Sequence, residues 1–327
     1  MPGLVRIALV RMVLAALAVA LVAPGAALAQ SYPSRPIRLI VSFPPGGAVD
    51  VIARTVGTPL GERLGQQVVI DNRPGANGNI AAELAARSKP DGYTLFLGSD
   101  ALFGVNPHIY SKMPVDPIKD FVPVASLISN QLILAAHPTV ITANDFQGFI
   151  AQATRTPLFY ASIGNGSMHH LAMELLKQRA SLDMTHVPYK GGGPAGIAVM
   201  AGENAVMFGG GSVVPHIRSG KLKGLAVSTR KRSATLPQLP TIDSFYPGFD
   251  VGIWQGLFAP AGTPQDILDK LRTEVNAVLA QPEIADRLIK AGSGEPSIMT
   301  VAEFSAMIRT SNQQLGEIIR RIGLKAD

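Results

Sequence analysis

Short apolar runs recur along the chain, each bounded by polar residues or by glycine and proline. The runs are Ile37–Phe43, Val68–Ile70, Thr94–Leu97, Leu132–Ala136, Leu158–Ala161, Ala205–Phe208, Leu225–Ser228 and Ile253–Phe258. Most are continuously apolar, which is typical of strands covered on both faces. Between them lies helical periodicity; Met168, Leu171 and Leu175, for example, share one helical face. This alternation predicts an α/β fold with largely parallel sheets.

The last part of the chain follows a different pattern, with three predicted helices in succession. Thr263 and Pro264 match an N-cap followed by proline at the first helical position. Pro282 begins a second, short helix, and Thr300 with Glu303 forms a capping box for a third. Three consecutive helices predict a flank that packs on an existing sheet.

Two stretches, Val122–Leu134 and Leu239–Gly256, are candidates for crossings between domains. A chain that leaves a first domain, builds a second and returns explains both. The sequence contains no internal repeat and no low-complexity linker. It therefore predicts two domains joined by two crossovers.

The first thirty residues match a secretory signal peptide. Arg6 and Arg11 precede the apolar run Met12–Val22, and small residues lead to a cleavage point near Ala29/Gln30. An uncleaved anchor is the alternative, but the run has 11 residues, whereas a spanning helix needs about 20. Removal of the peptide leaves 27 basic and 23 acidic residues, a net charge of +4. We expect an exported, soluble protein.

Composition excludes several classes of protein. The 327 residues include no cysteine, which excludes a disulfide scaffold, a thiol nucleophile and a thiolate-bound metal. The hydrophobic fraction of 47% argues against disorder. The basic residues are scattered and lack interleaved aromatic residues, so we expect no nucleic-acid partner.

Four glycine-rich clusters stand between a predicted strand and a predicted helix: Phe43–Asp50, Gly164–Ser167, Tyr189–Pro194 and Phe208–Ser212. A further polar turn, Gly98–Asp100, follows the third strand. Helix starts carry unpaired N–H groups and partial positive charge, and glycine lets a ligand approach the backbone. Since strand-to-helix turns also favour glycine without any ligand, an anion site between two lobes is one of two interpretations.

Several side chains in these clusters have two interpretations each. Asp50 is favourable in a first helical turn, or accepts hydrogen bonds from a ligand. Ser167 is an N-cap, or also reaches the ligand. Lys190 is a surface charge or part of the anion site. Trp254, the only tryptophan, belongs to the core or walls a pocket.

Enzyme motifs are incomplete. Gly191, Gly193 and Gly196 match G-x-G-x-x-G, but no acidic residue follows about 20 positions later. The adjacent His169 and His170 cannot form the i, i+4 pair of a helical zinc site. No nucleophile elbow, H-E-x-x-H or P-loop lysine is present. We predict no catalysis, no cofactor and no metal.

Ordered sequence blocks resemble the tripartite tricarboxylate transporter substrate-binding proteins, known as the Bug family. The blocks are Tyr32–Ile37, Phe43–Asp50, Asn72–Gly78, Pro90–Leu95, Tyr160–Leu171, His186–Ala195 and Leu257–Pro264. Each block is weak alone, whereas their order and number across the mature chain make the resemblance specific.

The resemblance implies a periplasmic Venus-flytrap protein, type II-like, with two α/β lobes. It implies a signal peptide at 1–29, a first lobe at 30–128 and 252–327, and a second lobe at 129–251. Such a protein captures a small carboxylate in the interlobe cleft and delivers it to membrane permease subunits. We expect a monomer. A ligand-sensing module that acts on a receptor and a secreted hydrolase are the alternatives.

The glycine clusters and the resemblance together predict the ligand contacts. They are Phe43, Pro45, Gly46, Gly47, Asp50, Ser99, Ser162, Gly164, Gly166, Ser167, His170, Tyr189, Gly191, Pro194 and Gly209. One position departs from the family pattern, because Gly209 stands where family members usually carry aspartate. The missing carboxylate suggests room for a bulkier or more anionic ligand.

Overall fold

The computed structural model describes residues 32–189 and 191–325. The chain divides into two units, Met1–Ser34 and Arg35–Asp327. Only residues 32–34 of the first unit are described, so the predicted signal peptide and its cleavage point lie outside the described residues, as does Lys190. Within the described part of the chain, no helix is long and apolar enough to span a membrane.

The second unit alternates strands and helices along most of its length. The strands are β1 (Ile37–Val41), β2 (Val68–Asn72), β3 (Thr94–Ser99), β4 (Phe121–Gln131), β5 (Ile133–Ala136), β6 (Leu158–Ser162), β7 (Met184–Pro188), β8 (Val206–Gly209), β9 (Lys223–Val227), β10 (Gly252–Pro260) and β11 (Glu295–Pro296). The helices are α1 (Ala48–Leu64), α2 (Asn79–Ala86), α3 (Asn106–Ile109), α4 (Phe146–Arg155), α5 (Met168–Ala180), α6 (Gly192–Met200), α7 (Val214–Arg218), α8 (Gln265–Leu279), α9 (Pro282–Lys290) and α10 (Val301–Ile322). Each apolar run named above overlaps one of these strands.

The strands form two mixed sheets. In the first, the order is β11-β4-β10-β3-β1-β2, and in the second it is β7-β6-β8-β5-β9. Strands β1 and β6 pair in parallel with both of their neighbours. Strands β10 and β5 are antiparallel to both of theirs. The expectation of largely parallel sheets was therefore wrong.

The physical reason is that the crossing segments supply strands to the sheets. The stretch at Val122–Leu134 includes all but the first residue of β4, which ends at Gln131, and β5 of the other sheet begins at Ile133. The return stretch leads into β10. The predicted lobe boundary at residue 129 falls inside β4, and the one at residue 252 falls at the start of β10. The exact division into lobes remains a prediction.

The two crossings lie side by side and are joined through Ser228, which is fully buried. The Leu132 N–H donates to Ser228 Oγ at 3.0 Å, and that hydroxyl donates to the Val251 carbonyl. Backbone bonds run from Ser228 N to Leu132 O and from Val251 N to Ser228 O, both at 2.9 Å. One side chain thus connects the outgoing and the returning strands.

Helix α10 packs on both sheets. Its first half places Phe304 and Ile308 in the core that contains Trp254. Its second half places Leu315 and Ile318 in the core of the second sheet. Trp254 is a core residue: its ring lies 5.5 Å from that of Phe304, edge to face. The C-terminal helix therefore spans the two halves of the unit.

The helix ends follow the predicted capping residues with one exception. Thr300 and Glu303 form the complete capping box of α10, and Gly323 ends that helix at a φ of 66°. Helix α8 begins at Gln265, so Pro264 occupies the N-cap position. The prediction of Thr263 as N-cap was wrong, because its hydroxyl donates to the Pro260 carbonyl instead.

Replacing Ser228 by alanine should lower the free energy of unfolding by about 1–3 kcal/mol, because two buried backbone groups lose their partner. Chemical denaturation of the mature protein measures this change. Ser126→Ala is the matched control: Ser126 is 1% exposed and its Oγ has no protein partner among the described residues. Its replacement should be nearly neutral, and equal losses in the two variants would contradict the role of Ser228.

Candidate functional site

A cavity of about 560 Å³ lies where the loops that follow β1, β3 and β6 meet the crossing strand β10. The first sheet contributes Phe43 and Ser99, and the second contributes Gly164, Gly166 and Ser167. All of these were predicted ligand contacts. Further lining residues are Asn77, Asp100, Ala101, Val105, Ile109, Tyr110, Ile163, Asn165, Met168, His169, Ile253, Gln255, Leu324 and Lys325. The cavity is thus built from both sheets.

The loop before α5 presents backbone donors to this cavity. Ser167 is the N-cap: its Oγ accepts from the His170 N–H at 3.3 Å and donates to the Gly164 carbonyl at 2.8 Å. Gly164 and Gly166 have φ values of 132° and 73°, which glycine adopts without strain. The N–H groups of Met168, the first helical residue, and of its successor have no acceptor inside the helix. They are suited to an anion.

Two stacked histidines lie under this loop. The rings of His170 and His186 are 3.9 Å apart and nearly parallel, with an angle of 6°. His170 Nδ1 accepts from the Gly166 N–H at 3.1 Å, and His186 Nε2 lies 2.6 Å from Ser162 Oγ. Burial lowers the pKa of His170, and burial together with the neighbouring His170 lowers the pKa of His186 to about 4. Both rings are therefore neutral near pH 7.

The buried carboxylate of Glu174 supports the histidine pair through Tyr160. Glu174 accepts from the Tyr160 hydroxyl at 2.5 Å and from Lys177 at 2.7 Å. Burial opposes the ionisation of Glu174, but these two hydrogen bonds outweigh it and lower its pKa. The Tyr160 ring also stacks on His186 at 5.0 Å. Ser162 and His170, both predicted as ligand contacts, are thus engaged in holding the loop, and their contact with a ligand stays a prediction.

Asp50 holds the loop after β1 in place through hydrogen bonds. This carboxylate is 3% exposed and accepts from the Gly46 N–H and from Arg54 at 2.9 Å each, and from Asn72 at 3.0 Å. Burial raises the pKa of Asp50, but the three hydrogen bonds outweigh that effect and lower it. Of its two interpretations, the structure supports the role inside the fold. Pro45, Gly46 and Gly47 are exposed and do not line the cavity.

Four predicted contacts of the second sheet are not part of the cavity lining. They are Tyr189, Gly191, Pro194 and Gly209. Tyr189 accepts from Asn204 through its hydroxyl at 2.7 Å. Gly191 is the N-cap of α6 at a φ of 108°. Helix α6 begins at Gly192, so Pro194 is its third residue.

At Gly209 the structure answers the question raised by the missing aspartate. A Cβ atom there would lie 2.3 Å from Val213 Cγ1, so the valine side chain fills that space. No extra room for a bulky ligand exists at this position. Gly210 and Gly211 instead line a second cavity of about 720 Å³, which shares Ile163, His169 and Ile253 with the first.

The predicted ligand contacts omitted three buried polar residues of the cavity lining, Asp100, His169 and Gln255. Burial raises the pKa of Asp100 to about 7, although backbone N–H groups, including that of Trp254, oppose the shift. Gln255 is a lone amide in the apolar run Ile253–Phe258, which is a signal that the sequence contained. Among the described residues, no group of three metal-binding side chains occurs.

Comparison with known sequences finds one protein family. A family model described as the tripartite tricarboxylate transporter family receptor matches residues 52–324. The chain is 36% identical over 324 residues to a UPF0065 protein of Bordetella bronchiseptica, covering 99% of this chain and 95% of the relative. It is 34% identical over 302 residues to BugT of Bordetella pertussis, covering 91% and 92% of the two chains.

Solved structures of similar proteins are periplasmic solute-binding proteins. A TctC solute-binding protein from Polaromonas, determined without ligand, has a TM-score of 0.82 at 27% identity, with 89% of this chain and all of that chain covered. A protein of R. palustris with adipate has a TM-score of 0.71 at 31% identity, with 90% and 99% covered. MatC from Rhodopseudomonas palustris with bound malate has a TM-score of 0.68 at 31% identity, with 88% and 100% covered.

Asp100 should make stability depend on pH. Between about pH 4 and 7 the folded protein keeps a proton on Asp100 that the unfolded chain releases, so the free energy of unfolding falls as the pH rises. The stability that protonated Asp100 contributes is fully present below the pKa of the unfolded chain, 3.8, and is lost as the pH rises through the pKa of the folded protein, about 7.

The comparison of wild type with Asp100→Asn isolates this effect, since the buried histidines titrate in both proteins. From pH 5 to pH 8, wild type should lose about 3 kcal/mol of stability relative to the variant, measured by urea unfolding at each pH. Parallel pH profiles would show that Asp100 ionises at its ordinary pKa.

Replacing His170 by phenylalanine should keep the ring stack and leave the Gly166 N–H without its acceptor. We expect amide hydrogen exchange at Gly166 to become faster and the free energy of unfolding to fall by about 1–3 kcal/mol. His170→Asn supplies an oxygen acceptor and should restore much of the protection. Unchanged exchange in the phenylalanine variant would remove His170 from the support of the loop.

Proposed function

The chain belongs to the tripartite tricarboxylate transporter receptor family, and from this premise we propose that it captures a small carboxylate in the cavity between its two sheets. The family consists of periplasmic solute-binding receptors, which bind and release their ligands without chemical change. The observation that carries the proposal is the start of α5 at the cavity, with its glycine-rich loop held by the histidine pair.

The electrostatics of the cavity favour an anion. The first N–H groups of α5 add the partial positive charge of a helix start. His169 is neutral, because burial lowers its pKa to about 4. Asp100 is largely protonated below about pH 7. Lys325, an exposed side chain at the rim, is the cation among the lining residues that the structure describes.

We propose that ligand binding closes the cavity. The lining comes from both sheets, so a bound anion contacts the second sheet fully only when the two approach each other, and this differential affinity shifts the population. The structure resembles the ligand-free Polaromonas protein, with a TM-score of 0.82, more than the neighbours with adipate or malate, at 0.71 and 0.68. Yet the ligand-free protein is less identical to this chain in sequence, at 27%, than the two ligand-bound proteins, at 31%. An open, ligand-free conformation of this chain would explain why its structure is nonetheless more similar to the ligand-free protein.

The predicted contacts divide into two groups in this proposal. Phe43, Ser99, Gly164, Gly166 and Ser167 meet the ligand in the open cavity. The remaining ones reach it on closure or hold the contact loops in place. They are Pro45, Gly46, Gly47, Asp50, Ser162, His170, Tyr189, Gly191, Pro194 and Gly209.

In the same proposal the chain is exported with removal of its first 29 residues, acts as a monomer in the periplasm, and delivers its ligand to membrane permease subunits. Its lobes comprise 30–128 with 252–327, and 129–251. Native mass spectrometry of the purified protein tests the oligomeric state and the mature N-terminus together.

The central experiment is thermal unfolding of refolded, ligand-free protein with a panel of mono-, di- and tricarboxylates, and with a neutral sugar as a negative control. A matching carboxylate at about 100 times its Kd should add about 2.7 kcal/mol to the free energy of unfolding. Stabilisation by the sugar alone, or by no carboxylate, would overturn the proposal.

Gly47→Leu tests the loop after β1. A Cβ atom at Gly47 meets only the Pro44 carbonyl, at 3.5 Å, so the fold tolerates a side chain there. If this loop reaches the ligand on closure, the variant should lose most of the stabilisation by the carboxylate. Glu62→Leu, an exposed site near the other end of α1, is the control and should keep it. Equal responses of the two variants would exclude the loop.

A further inference from the structure

The turn that follows β2 has an unusual backbone and borders the cavity through one residue. Its four residues, Gly75–Gly78, have φ values of 131°, 46°, 51° and 94° in chain order. Glycine adopts such values freely, whereas a residue with a side chain, such as Ala76, adopts them at a cost. Asn77 lines the cavity, although it is not among the predicted ligand contacts. Backbone strain of this kind persists where the surrounding structure enforces it, and it is concentrated at functional sites.

The turn lies beside the other loops of the first sheet that reach the cavity. Strand β1 pairs in parallel with both β2 and β3, so the turns after these three strands meet at one edge of the sheet. A Cβ atom on Gly78 would lie 3.2 Å from the Cβ of Ser42, the residue before the cavity-lining Phe43. Ser99, at the end of β3, also lines the cavity. The turn after β2 is therefore a neighbour of loops that already supply predicted contacts.

A fully buried amide holds this turn in place. Asn106, the first residue of α3, is 0% exposed. Its Nδ2 donates to the Asn77 carbonyl at 3.0 Å and to Oδ1 of Asn79 at 2.8 Å. Its Oδ1 accepts from Nδ2 of Asn77 at 2.6 Å. Asn106 thus binds both the main chain and the side chain of Asn77.

The same bonds fix the orientation of the Asn77 amide. A backbone carbonyl only accepts, so the end of the Asn106 amide that contacts it is the NH2 group, and the other end is the oxygen. That oxygen also only accepts, so the atom of Asn77 that faces it is Nδ2. An NH2 group carries two donors, and the second one on Asn77 has no acceptor among the residues that the structure describes. Asn77 is exposed at the border of the cavity, where such a donor is suited to a ligand oxygen.

We propose that Asn77 donates a hydrogen bond to the bound carboxylate from the first sheet, and that Asn106 is the positioning residue that holds it there. This inference rests on the proposed capture of a carboxylate and adds two residues to the same site. The start of α5 contacts the ligand from the second sheet, and Asn77 contacts it from the first. A ligand held from both sides favours the approach of the two sheets.

Isothermal titration of refolded, ligand-free protein with succinate, malate, adipate and citrate tests the contact; the tightest binder of the four is used to compare variants. Asn77→Gly keeps the left-handed backbone accessible and removes the side-chain amide. It should raise the Kd about 10-fold, the lower end of the range for a hydrogen bond to a charged group. Ser181→Gly is the matched control, since Ser181 is exposed, has a φ of 54° and does not line the cavity. The control should keep the wild-type Kd.

A double-mutant cycle tests the positioning role of Asn106. Asn106→Ala should raise the Kd when Asn77 is present, because the turn is released, and should change it by less than about 2-fold in the Asn77→Gly background. A purely structural role would lower the thermal stability in both backgrounds and leave the Kd unchanged in both. Circular dichroism confirms that each variant is folded, and the comparison of Asn77→Gly with Ser181→Gly does not depend on the alanine variant.

The outcomes separate this inference from the function on which it rests. If a carboxylate binds wild type and Asn77→Gly with the same Kd, the contact is overturned while carboxylate capture stands. Equal losses of affinity in Asn77→Gly and Ser181→Gly would also overturn it, since the added flexibility of glycine would then explain both. If none of the four carboxylates binds the wild-type protein, carboxylate capture fails, and the contact fails with it.

Discussion

The architecture depends on the hydrogen bonds that join the two crossing strands. Ser228 is fully buried where the chain leaves the first sheet and where it returns, and its hydroxyl both accepts from Leu132 and donates to Val251. The outgoing crossing passes from β4 of the first sheet almost directly into β5 of the second, and Val251 immediately precedes β10 of the first sheet. Sliding of one half past the other would therefore break this group of bonds. The loops at the carboxyl ends of the strands are thereby kept facing one another across a cavity.

Helix α10 adds a second link, which runs from the crossing region to the loop before α5. Its aromatic end packs on the core around Trp254, and its later residues pack on the second core. Near its end, Arg321 donates to the Glu174 carbonyl at 3.1 Å. Leu324 lies against the loop, with its Cδ2 only 3.2 Å from where a Cβ of Gly166 would stand. A bend between the two sheets would therefore change the packing of α10, the same helix that borders the loop before α5.

Local patterns in the sequence predicted eight of the eleven described strands, the capping box of α10 and the glycine turns, because each depends on residues close together in the chain. Strands β4, β7 and β11 were not among the predicted apolar runs. Strand direction was not predictable, since the antiparallel entry of β10 depends on pairing with β3, more than 150 residues away. The role of Asp50 was ambiguous for the same reason: a first-turn acid is favourable by itself, and its partner Asn72 lies 22 positions further on. Gln255 stood out as a lone amide in an apolar run, but only the fold showed that it lines the cavity.

The groups that line the proposed anion site are mainly neutral, which suits a receptor that must release its ligand. A buried ion pair is strong in a dry cavity, and breaking it leaves a charge without compensation. Here burial keeps the histidines near the cavity uncharged, and the backbone N–H groups at the start of α5 supply only partial charge. Hydrogen bonds of this kind depend strongly on geometry. In the proposed function, a small opening of the cavity would therefore weaken these hydrogen bonds and release the ligand.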